Sequence, residues 1–308
     1  MTPEEAQVIN GIGVINYKNV SNMVLVCMLH GMYCLVFLTS IYIYLNKRSK
    51  REATINLLCA IMATLVLITM YFIGFMTEIF VLVKYGIILS LPGGVIAQTE
   101  SANSQSILLV WDVISIWLAY VIYLVADGMI VWRAWAVWMD NRGVKLTLAF
   151  LMFADIGVDL AAGVTDTRTR ILGGQETQTL DWVNVALSFT INVVATSLIG
   201  FQAWIYHESV KKTVSIRKKT RLEEILLLLL ESGAIFGIVQ LLDIIFSILD
   251  SKDTVLPTVD LASQLIGNLY PYAAAFNPVA IYVVVQTQNT YEHSFYLEES
   301  HTDTTTIH

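Results

Sequence analysis

Charged residues are scarce in this sequence: Asp, Glu, Lys and Arg make up only 14% of the 308 residues, against about 25% in ordinary soluble domains. Hydrophobic residues make up 56%. A soluble protein of this length has too little interior to hide so much apolar surface. The composition therefore excludes a cytosolic enzyme, a disordered chain and a nucleic-acid binder, and it favours an all-α membrane protein with several spans.

Cysteine and histidine are also few. The three cysteines, Cys27, Cys34 and Cys59, all fall within apolar runs, which is typical of small buried hydrophobic residues. Only one histidine, His30, lies in such a run, so no multi-histidine zinc site is expected in the membrane. The sequence contains no glycine-rich phosphate loop and no recognisable nucleophile with its base. We therefore expect no enzyme activity, no metal and no cofactor. Residues 1–17 lack the basic start of a cleavable signal peptide.

Long apolar runs, in contrast, are abundant. A helix needs about 20 mostly apolar residues to span the hydrocarbon layer, and seven runs are long enough. They are approximately Asn22–Leu45, Ile55–Thr77, Ile107–Trp132, Leu146–Val164, Trp182–Tyr206, Ile225–Leu249 and Val259–Val285. The sequence thus predicts a seven-helix transmembrane domain over residues 22–286. An extracellular segment, 1–21, precedes it, and a tail without Lys or Arg, 287–308, is predicted to be disordered.

The basic residues predict the orientation of this bundle, because Lys and Arg near the ends of spans prefer the cytoplasmic side. With seven spans, 13 of the 18 basic residues fall on the side that also holds the C-terminus. Without the fourth span, the basic segments 46–53 and 207–222 would lie on opposite sides. We therefore expect the N-terminus outside and the C-terminus in the cytoplasm, with the plasma membrane as the location.

Polar residues recur every three or four positions in the last three predicted spans, which places them on one face of each helix. Polar groups are expensive in lipid, so these faces must turn toward protein or water. Together with an acid on the third span they predict an outward-open pocket of at least about 300 Å³ for a small polar or cationic ligand. The candidate ligand-binding residues are Asp112, Asn184, Ser188, Asn192, Gln240, Asp243, Gln264 and Asn268. The alternative is a dry network of hydrogen bonds between helices, each worth about 0.6 kcal/mol.

Two acids lie one turn apart in the fourth span, Asp155 and Asp159. Carboxylates that are so close and partly desolvated disfavour double ionisation. Three interpretations stay open: an ion network with Arg168 and Arg170, a site for a cationic ligand, and a proton relay.

The end of the third span carries the sequence Asp127…Trp132-Arg133-x-Trp135-x-x-Trp138. Tryptophan at this spacing is typical of a membrane interface, and Arg133 is expected to extend toward the lipid headgroups. Asp127 precedes Arg133 by six residues, about 120° around the helix, so it is expected to face a neighbouring helix. The alternatives are a plain anchoring belt and an ionic latch between helices.

The seventh span ends in Asn277-Pro278, with Tyr282 following, and this is similar to the Asn-Pro-x-x-Tyr turn of rhodopsin-like receptors with one extra residue. We treat Asn277 and Pro278, with Asp127 and Arg133, as structural or switch residues. The span pattern, the basic patch after the first span and the tryptophan signature more closely resemble a family of uncharacterised seven-helix membrane proteins of mushroom-forming fungi. That resemblance covers nearly the whole chain and implies a receptor-like fold without a known ligand.

Together, these features predict an orphan receptor-like protein that senses an extracellular small molecule or peptide. The basic segment 207–222 is then a candidate contact for a cytoplasmic signalling partner. The first alternative is an ion- or proton-coupled transporter or channel that uses Asp155, Asp159 and Asp243. The second is a membrane scaffold with no small-molecule site. All of these require membrane lipids as partners.

Overall fold

The computed structural model describes residues 3–46, 52–92, 94–138, 141–173, 178–213, 221–250 and 257–304. Over these residues the chain forms eight α-helices and no strand, which confirms the all-α fold. The helices are α1 (Pro3–Asn46), α2 (Glu52–Val83), α3 (Gly94–Asn103), α4 (Ser106–Val137), α5 (Arg142–Leu172), α6 (Gln178–Thr213), α7 (Arg221–Asp250) and α8 (Pro257–Thr304). A short π-helical segment, Lys84–Ile88, follows α2 directly.

Six of these helices, namely α1, α2, α4, α5, α6 and α7, are long and apolar enough to cross a membrane. The outer surface of the bundle is rich in large apolar side chains; Leu146 and Phe153, for example, are each 75% exposed. Contiguous apolar surface of this extent is unfavourable in water and natural in lipid. The chain is therefore a multi-pass integral membrane protein, as its composition predicts.

The seventh predicted span coincides with part of α8, which is helical but less apolar than the others. Its polar stripe, Asp260, Gln264 and Asn268, and its internal prolines, Pro271 and Pro278, lower its hydropathy. It nevertheless packs along α1 and α7. That all seven long helices cross the membrane stays a prediction.

All the long helices extend beyond the predicted spans, and two of them, α1 and α8, extend farthest. The first begins at Pro3 within the expected N-terminal segment, and α8 continues to Thr304, through most of the tail for which disorder was predicted. The structure differs from this expectation because each residue added to an existing helix gains one backbone hydrogen bond. No proline or glycine follows Pro278 to end the helix.

The long helices form a closed bundle in which each helix packs against the next. The order of neighbours is α1, α2, α4, α5, α6, α7 and α8, and α8 returns to pack against α1. The central α4 also contacts α6 and α8. Because successive long helices run in opposite directions, one end of the bundle holds the starts of α1, α4, α6 and α8. We name this end the N-terminal face and the opposite end the C-terminal face.

A close approach of α6 and α7 depends on Gly233. A Cβ atom at this position would lie 2.4 Å from the Thr196 Oγ1 atom and 3.2 Å from its Cγ2 atom. The main-chain oxygen of Gly233 also accepts a hydrogen bond from the Asn192 Nδ2 atom at 3.1 Å. Small residues are what allow helix backbones in membranes to approach so closely.

We expect Gly233→Ala to lower the melting temperature in detergent, because overpacking of this kind costs about 1–3 kcal/mol. Gly157→Ala is the matched control, since no atom of the residues that the structure describes lies within 4 Å of a Cβ atom there. That variant should melt at or slightly above the wild-type temperature, because alanine favours helix over glycine. Equal melting temperatures for Gly233→Ala and wild type would contradict the packing.

Candidate functional site

A cleft of about 230 Å³ lies between α4, α5, α6, α7 and α8, toward the N-terminal face. Its lining comprises Ile116, Ala119, Tyr120, Tyr123, Asp166, Asp181, Asn184, Val185, Asp243, Gly267 and Tyr270. Three of these residues are acids, three are tyrosines, and none is basic. Carboxylates attract positive charge, and aromatic faces bind cations that lie over them. The cleft is thus suited to a small organic cation.

The carboxylate best placed for such a ligand belongs to Asp243 on α7. Within the described residues, neither a hydrogen bond nor an ion pair engages it. Asp166 differs, because its Oδ2 atom accepts a hydrogen bond from the Tyr120 hydroxyl at 2.7 Å. Tyr120 therefore orients one acid of the cleft, while Asp243 keeps its oxygens available to a ligand.

The floor of the cleft is formed by Tyr270, which is only 3% exposed. The Tyr123 ring stacks on it, with ring centroids 4.4 Å apart. Its hydroxyl lies 3.2 Å from the Ser188 Oγ atom and accepts a longer hydrogen bond, 3.4 Å, from the Gln240 Nε2 atom. A ligand in the cleft would therefore rest on a ring that is bonded to two further helices.

A buried polar network lies directly beneath this floor and joins α4, α6, α7 and α8. The Ser188 hydroxyl donates to the Asp127 Oδ2 atom at 2.6 Å, and the Gln240 Nε2 atom donates to Ser188 at 2.8 Å. The Asn192 Nδ2 atom donates to the Gln240 Oε1 atom at 2.9 Å. Each of these four residues is at most 2% exposed. As predicted, Asp127 faces a neighbouring helix, here α6.

The structure separates the residues of the predicted pocket into those that line the cleft, those that lie in the network beneath it, and those that lie elsewhere. Asn184 and Asp243 line the cleft, whereas Ser188, Asn192 and Gln240 belong to the network beneath it. For these last three residues, the dry hydrogen-bonded alternative describes the structure. The cleft is also smaller than the expected 300 Å³ or more, because hydrogen bonds between facing polar stripes fill the space between them.

The remaining predicted residues lie elsewhere. Gln264 accepts a hydrogen bond from the Asn22 Nδ2 atom at 3.1 Å and donates to the Asp260 Oδ1 atom at 2.8 Å, and Lys18 forms an ion pair with Asp260. This face of α8 therefore meets α1. Asp112 and Asn268 do not line the cleft either. Helical spacing shows which residues share a face, but it does not show which neighbour that face meets.

The two acids of α5 turn into the bundle rather than toward arginine. Asp155 and Asp159 are 1% and 2% exposed, and Asp159 accepts a hydrogen bond from the Asn184 amide. Neither forms the ion network with Arg168 and Arg170 that was one interpretation of the sequence. Their Oδ2 atoms have no hydrogen-bond partner among the described residues.

The tryptophan signature at the end of α4 separates into an outer and an inner part. Trp132 and Trp135 are 48% and 39% exposed on the surface of the bundle. Trp138 instead donates from Nε1 to the main-chain oxygen of Leu198 at 3.0 Å and stacks against Phe201. The first two are therefore placed as anchors in lipid, while the third packs α4 against α6.

Arg133 does not extend toward the lipid headgroups, which corrects the sequence expectation. It is 4% exposed and lies among α4, α7 and α8. Its Nη1 atom donates to the Ser232 hydroxyl at 2.9 Å and its Nη2 atom to the Asn277 Oδ1 atom at 3.4 Å. Since consecutive helical residues differ by about 100°, the outward direction of Trp132 turns Arg133 inward. Within the described residues, Arg133 forms no ionic latch between helices, because both of its hydrogen-bond partners, Ser232 and Asn277, are neutral.

Sequence reasoning missed the tyrosines of the cleft, Tyr120, Tyr123 and Tyr270, and two of its acids, Asp166 and Asp181. The three-residue spacing of Tyr120 and Tyr123 is a usable signal, but aromatic residues in apolar runs resemble ordinary core. Comparison with known proteins adds no relative: neither a protein-family model, nor a curated protein, nor a solved structure matches the chain significantly.

Proposed function

We propose that the chain is a receptor-like membrane protein with seven spans that binds a small organic cation in the cleft. The observation that carries this proposal is the lining of the cleft, three acids and three tyrosines with no basic residue. The N-terminal face, where the cleft lies, is the side that the basic residues predict to be extracellular. A ligand would then enter from outside the cell.

The contacts beneath the cleft support a receptor rather than a simple binding protein. Tyr270 belongs to α8, and its hydroxyl contacts Ser188 on α6 and Gln240 on α7. Ser188 in turn holds Asp127 on α4. A ligand shifts a conformational equilibrium only by contacting two states differently. A cation resting on Tyr270 acts on one member of a hydrogen-bonded network that joins four helices, which supplies that difference.

A cation transporter is the second candidate, and the buried acids favour it. Asp127, Asp155 and Asp159 each have one buried carboxyl oxygen without a hydrogen-bond partner in the described structure. Arg133, which lies nearer the C-terminal face, opposes this candidate, because its positive charge repels a cation on that route. Proteoliposomes separate the two functions: a receptor binds labelled tetramethylammonium without accumulating it, and a transporter accumulates it against a gradient.

The remaining parts of the proposal rest on the sequence. The resemblance to the seven-helix proteins of mushroom-forming fungi supports the receptor-like fold, and we propose membership of that family. A cytoplasmic signalling partner at 207–222 also stays a proposal, because residues 214–220 lie outside the described residues. We propose the plasma membrane as the location, since an extracellular ligand is met there.

The orientation has a direct test. An epitope tag fused to the C-terminus should be inaccessible to antibody in intact cells and labelled after permeabilisation, because most basic residues fall on the side of the tail. A tag placed before residue 3 is the control and should be labelled in intact cells. Labelling of the C-terminal tag without permeabilisation would overturn the orientation and the extracellular cleft with it.

A further inference from the structure

A second buried cluster, distinct from the cleft, surrounds Arg133 near the C-terminal face. In the described part of the chain, the guanidinium donates to neutral groups only, the Ser232 hydroxyl and the Asn277 side-chain oxygen. Its Nε atom is buried and, among the described residues, has no acceptor, and the same holds for the Nδ2 atom of Asn277. Two unused donors therefore lie in the same cluster, beside a positive charge.

A guanidinium that is buried in this way needs a negatively charged partner. Arginine does not lose its proton in proteins, and buried charges are ordinarily paired. Within the part of the chain that the structure describes, no carboxylate contacts Arg133. The nearest acid before it on α4, Asp127, is instead engaged by Ser188. Neutral hydrogen bonds to Ser232 and Asn277 orient the guanidinium but do not neutralise it.

We propose that Arg133 and Asn277 form a binding site for one small monovalent anion, either a halide or a small carboxylate, between α4, α7 and α8. The anion accepts hydrogen bonds from the Arg133 Nε atom and the Asn277 Nδ2 atom and neutralises the guanidinium. Arg133 lies four residues before the last residue of α4, about 6 Å along the helix axis. The anion therefore enters from the C-terminal face, and this site is independent of the cation cleft.

The site can be tested by following the melting temperature of the purified chain in a neutral detergent. Chloride or acetate replaces a bulky sulfonate at constant ionic strength and constant cation. We expect the wild-type melting temperature to rise by a few degrees in a saturable manner with one or both anions. Whether chloride or acetate is effective distinguishes a halide site from a carboxylate site.

Two variants assign the effect to this cluster. Arg133→Gln removes the charge and should lose the dependence on the anion. Asn277→Asp builds a carboxylate into the site beside the guanidinium. It should therefore melt higher than wild type in the sulfonate buffer, and added chloride or acetate should raise it no further. If Arg133→Gln does not fold, the melting temperature of Asn277→Asp with and without the anion decides whether the site exists.

Arg142→Gln is the matched control. Arg142 is exposed and lines an open depression of about 740 Å³ at the same face. This variant should keep the full anion dependence of the wild type. The proposal is overturned if the wild type shows no anion dependence, or if Arg142→Gln loses it. It is also overturned if a folded Arg133→Gln or Asn277→Asp keeps the dependence of the wild type.

Discussion

Asp243→Asn should weaken the binding of small organic cations at least about tenfold. Asparagine keeps the size of the side chain and removes its charge, so the shape of the cleft is preserved. Every cation loses its charge attraction to the carboxylate. A protonated primary amine also loses a hydrogen bond to a charged group, which contributes about 1.5–3 kcal/mol, and each 1.4 kcal/mol corresponds to about a factor of ten in affinity. Calorimetric titration of the purified protein with tetramethylammonium and a set of primary amines measures the change.

Asp112→Asn is the matched control for this prediction. Asp112 is an acid of α4 that does not line the cleft, so its neutralisation changes the net charge of the protein by the same amount. Binding to this variant should equal that of the wild type. An equal loss in both variants would mean that only the overall negative charge attracts the cation, and unchanged binding to Asp243→Asn would remove that residue from the site.

Gln240→Leu should destabilise the bundle by about 2 kcal/mol, from three hydrogen bonds at about 0.6 kcal/mol each. Gln240 is completely buried and bonds to Ser188, Asn192 and Tyr270. Leucine is similar in volume, so the loss is of hydrogen bonds and not of packing. Thermal unfolding in detergent, followed by circular dichroism, gives the lower melting temperature.

A control for Gln240→Leu is Gln202→Leu on α6. Gln202 is partly buried in the depression at the C-terminal face and has no hydrogen bond between helices in the described structure. Its replacement should leave the melting temperature nearly unchanged. If the two leucine variants melt at the same temperature, the network beneath the cleft does not stabilise the fold.

The helices could be predicted from the sequence because hydrophobic runs of spanning length are a strong signal. Even α5 follows from its sequence, although Asp155 and Asp159 interrupt its apolar run. The spacing of Asn184, Ser188 and Asn192 also showed that one face of α6 turns inward. These predictions depend on local periodicity, which the sequence contains directly.

The composition of the site could not be predicted in the same way, because it depends on how each helix is rotated against its neighbours. Gln264 lies on the polar face of α8, yet that face meets Asn22 on α1 instead of the cleft. Arg133 turns inward to Ser232 and Asn277, whereas its position at the end of a span favoured the lipid headgroups. In both cases, contacts between residues far apart in the chain decide the outcome.

The most direct test of the cation cleft is to fill it. Gly267 lines the cleft, and a Cβ atom there would have no described atom within 4 Å. Leucine should therefore occupy the space of the ligand while it favours the helix over glycine, since it ranks just below alanine in helix propensity. Gly157→Leu is the control, because that position is also open but lies away from the cleft.

The measurement is binding of tetramethylammonium and primary amines to the wild type, Gly267→Leu and Gly157→Leu in lipid nanodiscs. We predict that at least one of these cations binds to the wild type and to Gly157→Leu, and that Gly267→Leu binds none of them while it melts at or above the wild-type temperature. Binding to Gly267→Leu with unchanged affinity, or the absence of binding to the wild type, would contradict a cation site in the cleft.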